Sequence, residues 1–227
     1  MRIGDALAGK RVLITQADGF MGPPLVEAFR EHGADVIADL TKLDSGAAGE
    51  RVVRAAGRVD VLIAHLGVPA PATRATEVGD DEWRHVFAHI VDPLPGLMRA
   101  VLPQMIERGA GKVVVIGSAI AFRGQKRTST YSAARGAQVS YVRAVGTEVA
   151  PMGVHVNLLA QNFVDNPMYY GPEVQALPAF QERLKREVPL GRLGTAREDA
   201  LFAVFLASGE VSFFAGQSFP FAGGWVT

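Results

Sequence analysis

The chain has 227 residues, 48% of them hydrophobic, with 23 basic and 23 acidic side chains and no cysteine. This length suits one substantial core, the balanced charge argues against nucleic-acid or anionic-membrane binding, and the missing thiols exclude disulfides, thiolate metal sites and cysteine nucleophiles. The opening MRIGDALAGKR lacks an apolar signal core and no run approaches the ~18 apolar residues of a membrane span, so a soluble cytoplasmic protein is expected.

In chain order, a strand at 11–15 enters the turn LITQADGFMG and then a helix near 22–32. A dinucleotide-binding fold keeps three glycines there so that its backbone can approach a pyrophosphate. Only Gly22 remains; Gln16 and Phe20 fill the other two positions. The next strand, 35–39, ends in Asp39, where a carboxylate could hold an adenosine ribose or cap a solvated turn. A helix at 46–57 and a strand at 59–65 follow. The helical stretch 81–108 opens after Asp80 and is bent or interrupted by Pro93 and Pro95. Within it, His85 and His89 lack the Glu of an H-E-x-x-H site and read as ordinary helix surface, with no metal expected. A strand at 112–118, the solvated loop RGQKR (123–127) and a helix at 130–150 come next, then a strand at 155–160. The tract 161–193, rich in Pro and aromatics, reads as a lid. A helix at 196–208 and a strand at 218–222 close the chain. Alternating apolar strands and helices predict an α/β fold, a doubly wound parallel sheet in one domain spanning 1–227. Its sites should gather at the carboxyl ends of strands, beside Thr15, His65, Ser118 and Ala160.

At one such end lies GSAIAFRGQKRTSTYSAARGAQ. Ser118 closes a strand, and Tyr131 and Arg135 stand four apart on one helix face. Serine, twelve residues, tyrosine, three residues and a base resemble the short-chain dehydrogenase/reductase pattern. VDVLIAHLG looks like that family's Asn-Asn-Ala-Gly strand end, and REDALFAVFLAS with AGQSFPFAGGW looks like its closing helix and strand. Three departures follow: Arg135 stands where the family has lysine, the glycine loop is refilled, and Gln161-Asn162 replaces a Pro-Gly pair. Thr15, four residues, Phe20, one residue and Gly22, taken with Ser118, Tyr131 and Arg135, resemble the halohydrin dehalogenases. AGKRVLIT, VPLGRLGTAREDAL and FAGGW look closest to their B type.

That resemblance implies a cofactor-independent lyase turning vicinal haloalcohols into epoxide, halide and proton, reversibly, with small anions opening the epoxide. Tyr131 would be the base, Ser118 would hydrogen-bond the substrate oxygen, and Arg135 would favour the phenolate. Phe20, Gln161, Asn162, Phe163 and Val164 would wall the halide, and Trp225 is a candidate for the substrate pocket. The resemblance also implies a homotetramer. Because nucleophile and leaving group share one molecule, orientation supplies much of the rate, and the protein must supply a base, hold the oxygen and accept an anion. A divergent NAD(P)-dependent oxidoreductase and a non-catalytic ligand-binding relative remain the alternatives.

Overall fold

Six short strands form one parallel sheet: β1 (Arg11–Ile14), β2 (Asp35–Ala38), β3 (Val61–His65), β4 (Gly111–Ser118), β5 (Val154–Gln161) and β6 (Ser218–Phe221), in spatial order β2-β1-β3-β4-β5-β6. The computed structural model describes residues 6–209 and 212–226; residues 1–5, on which the reading of the amino terminus partly rests, lie outside it. The order reverses between β1 and β3, so their carboxyl ends flank the crevice where such sheets place their sites.

Strand side chains alternate between two helical layers. Leu13, Leu62, Val113, Val115 and Leu158 pack toward α2 (Gly46–Ala56), α4 (Pro93–Glu107) and α5 (Ser129–Val149). Val12, Ile14, Ile63, Val114, Ile116 and Leu159 pack toward α1 (Gly22–Glu31) and α8 (Ala196–Ala207). Burial on both faces accounts for the near-continuous apolar runs of the sequence. At the start of α8, Thr195 and Glu198 form a reciprocal capping box, which satisfies two orphan N–H groups.

The interruption expected at Pro93 is present, and the lid tract is more regular than its composition suggests. The stretch 81–108 is two helices, α3 (Asp80–Ile90) and α4, separated where Pro93 takes the first helical position. The lid tract is partly helical, with α6 (Pro172–Gln175) and α7 (Pro178–Glu187) packed over the sheet's carboxyl edge. His89 departs from the surface reading as well: it is buried, with Nδ1 2.8 Å from the His85 carbonyl. Among the described residues no cluster of His, Asp and Glu could hold a metal, and no helix is long and apolar enough to cross a membrane.

Candidate active site

The loop between β1 and α1 keeps a glycine path with other residues on it. Gln16 and Phe20 have φ of 47° and 48°, the left-handed region that glycine enters freely and branched or bulky residues resist. The third position needs its glycine, because a Cβ on Gly22 would lie 2.5 Å from the Ala17 carbonyl. The side chains at the other two positions are engaged. Gln16 accepts the Gly67 N–H at 3.0 Å, and its carbonyl accepts from His65 Nδ1 at 3.1 Å. The Phe20 ring lies 6.2 Å from His65 and 6.0 Å from Tyr169, centroid to centroid, and fills the space between the β1 and β3 ends.

The first four residues of α1 offer no free N–H to a phosphate. A helix N-terminus binds a pyrophosphate through free N–H groups. Here the Gly22 N–H goes to the Gly19 carbonyl, Pro23 and Pro24 have none, and the Leu25 N–H goes to the Met21 carbonyl. With Phe20 across the crevice, the residues present do not fit the nicotinamide dinucleotide that a Rossmann-like fold implies. Asp39, at the end of β2, holds the Thr41 N–H and hydroxyl at 2.9 and 3.2 Å, so its carboxylate caps a local turn.

Behind Phe20 lies a cavity of about 300 Å³. Ser118, Tyr131 and Arg135 all line it, as do Phe20, Gln161, Asn162, Phe163 and Val164. Trp225 does not. It is buried behind Phe163, with ring centroids 5.9 Å apart, and its backbone carbonyl accepts from Arg123 at 2.7 Å. Ser118 sits at the end of β4 because its hydroxyl oxygen caps the next turn, accepting the Ile120 N–H at 3.3 Å. Its O–H proton is thereby left to point at a substrate oxygen.

Arg135 is 6% exposed, yet no carboxylate of the described residues lies within ion-pair distance. Its Nη1 donates to the Ile116 carbonyl at 3.1 Å and to Gln138 Oε1 at 2.9 Å, its Nε has no partner, and its guanidinium carbon lies 5.0 Å from the Tyr131 ring centre. A buried cation with no counter-charge favours an anion beside it. His65 does not compete for that charge: burial, and secondarily the Arg135 charge, push its imidazole down to about 4.

Tyr169 and Tyr170, which share the cavity, lay in the lid tract and carried no sequence signal. Burial pushes both phenols up, Tyr170 to about 12, and the Tyr169 hydroxyl accepts the Ala70 N–H at 2.9 Å. Asp199 on α8 was likewise missed. It is fully buried beside the end of β5, where Gln161, with its amide nitrogen turned toward α8, donates to both carboxyl oxygens at 3.0 and 2.8 Å. Burial pushes the Asp199 carboxyl up to about 8. The Gln161 amide is therefore spent on anchoring β5 to α8.

Comparison with known proteins agrees with this architecture. A family model described as Enoyl-(Acyl carrier protein) reductase matches residues 6–226. The 3-oxoacyl-(acyl-carrier-protein) reductase FabG of Vibrio harveyi is 29% identical, over 96% of this chain and 98% of its own. A solved structure described as a dehalogenation enzyme is similar with a TM-score of 0.89 at 26% identity, covering 97% of this chain and 100% of that one. A halohydrin dehalogenase bound to ethyl (2S)-oxiran-2-ylacetate is similar with a TM-score of 0.84 at 25% identity, covering 94% and 96%.

Proposed function

The chain belongs to the short-chain dehydrogenase/reductase superfamily, and from that premise we propose that it is a cofactor-independent halohydrin dehalogenase. The observation that carries this reading is the content of the cavity: Ser118, Tyr131 and a buried, carboxylate-free Arg135 face it, and Phe20 stands where a dinucleotide would pass. The two dehalogenases among the structural neighbours support it.

In this reading the substrate hydroxyl lies between Ser118 and Tyr131. The Tyr131 oxygen takes the hydroxyl proton, the alkoxide oxygen bonds to the neighbouring carbon, and the carbon–halogen bond breaks on the opposite side. The halide departs into the space walled by Phe20, Asn162, Phe163 and Val164. Arg135 compensates the negative charge on the tyrosine and the oxygen as it moves. The products are an epoxide, a halide and a proton, so no electron pair leaves as hydride. Run backwards, a small anion in the halide space opens the epoxide. Association as a homotetramer belongs to the same proposal and would be read by sedimentation.

The reductase names among the sequence relatives favour the competing assignment, an NAD(P)-dependent oxidoreductase. One experiment separates the two. Incubated with 1,3-dichloro-2-propanol and no nucleotide, the protein should release chloride and acid in equal amounts. Absence of release across a panel of vicinal haloalcohols, together with saturable NADH or NADPH binding, would overturn the proposal.

A further inference from the structure

Two guanidinium groups and no carboxylate line the cavity. Arg135 is enclosed, whereas the Arg183 side chain, on α7, is 37% exposed and stands at the mouth. Its guanidinium carbon lies 5.3 Å from the Phe163 ring centre and its Nε donates to Glu187 at 3.2 Å. Neither Nη group has a protein acceptor among the described residues. Glu187 is shared with Arg186 at 3.0 Å, so the three groups together keep one positive charge. The loop 123–127, whose Gln125 also lines the cavity, adds Arg123, Lys126 and Arg127 in exposed positions near the rim. A neutral haloalcohol has no use for this charge, and departing halide alone does not require a planar two-pronged donor at the mouth.

We infer that the cavity selects vicinal haloalcohols and epoxides that carry a carboxylate, with the Arg183 Nη groups as the seat of that carboxylate. The inference rests on the dehalogenase reading, since it assigns the far end of the same substrate. A short halohydroxy acid would present its three polar features in order. Its halogen lies toward Phe20, its hydroxyl at Ser118 and Tyr131, and its carboxylate at the mouth. The Phe163 ring under the guanidinium holds the planar donor in place. The rim cations raise the encounter rate of an anion and lose that effect as salt is added.

The test compares 4-chloro-3-hydroxybutanoate with its near-isosteric amide, following halide release without nucleotide. Because Arg183 is half-exposed, its bond to a carboxylate should favour the acid by about tenfold in kcat/KM. The acid-to-amide ratio should fall toward one in Arg183→Gln, lie between in Arg183→Lys, and decline with ionic strength in the native chain. Amide turnover in each variant reports that it has folded. Amide turnover with no preference for the acid, or a preference left intact in Arg183→Gln, overturns the inference while leaving the dehalogenase reading in place. Failure of both compounds, with every other haloalcohol also inert, removes the reading on which it rests and the inference with it.

Discussion

Tyr131, Tyr169 and Tyr170 share one cavity but not one chemistry. Burial holds Tyr169 and Tyr170 as neutral phenols, whereas Tyr131 has a guanidinium 5.0 Å from its ring centre and stands one helical turn from it. Tyr131→Phe should therefore lower kcat by about 10²- to 10⁴-fold, the usual weight of a positioned general base. A variant with near-native turnover would take Tyr131 out of that role. Phe20→Ala should weaken inhibition by added bromide without creating saturable NADH binding, because Pro23 and Pro24 still withhold two N–H groups from the first turn of α1. Tight NADH binding in that variant would show that Phe20 alone had been the obstacle. Ser118, Tyr131 and Arg135 were legible in the sequence because a strand end and an i, i+4 spacing locate them relative to one another. Pro23 and Pro24 are equally legible, since a proline lacks an N–H wherever it stands. Arg183 and Tyr169 were not legible, since an irregular lid tract has no period from which a direction can be inferred.

At the level of elements, one close approach positions the sheet's helical cover. On α4, a Cβ at Gly96 would fall 1.8 Å from the Gly46 carbonyl oxygen of α2, so the two helices can meet only with glycine there. Gly96→Ala should cost about 2 kcal/mol or more of stability, seen as a lower denaturant midpoint, because the obstructing atom is backbone and cannot rotate away. A midpoint within error of the native chain would mean that α2 and α4 shift apart freely. All six strands could be placed from their apolar runs to within about two residues, and their parallel arrangement from the alternation with helices. The break between α3 and α4 was signalled by proline, but its sharpness was not, since a proline is as content at a first helical turn as at a kink. The pairing of β5 with α8 through Gln161 and Asp199 joins residues far apart in the chain, and no local pattern announces it.

For the whole molecule, two buried groups set opposing pH slopes. His65 falls from an ordinary value of 6.5 to about 4 on folding, so between those values the unfolded chain holds more protons and stability is lost as pH falls. Asp199 rises from 3.8 to about 8, so the folded chain holds more protons there and stability is lost as pH rises. The two slopes offset each other from about pH 4 to 6.5, and above that Asp199 acts alone. Urea midpoints should therefore fall as pH rises from 6.5 to 8, less steeply than burial alone dictates because the two Gln161 donors favour the charged carboxylate. Asp199→Asn should abolish that loss, and His65→Asn should let the decline begin near pH 4. An unchanged slope in Asp199→Asn would assign the titration elsewhere. The β1–α1 loop has a wider consequence. Gln16 and Phe20 hold a backbone path whose left-handed turns cost a side-chain-bearing residue roughly 1 kcal/mol each. The route of the chain and the contents of the crevice are thus set independently, so Gln16→Gly with Phe20→Gly would relax the loop while emptying the space it guards. The same scaffold can exchange one chemistry for another by altering what the loop carries, without altering where it runs.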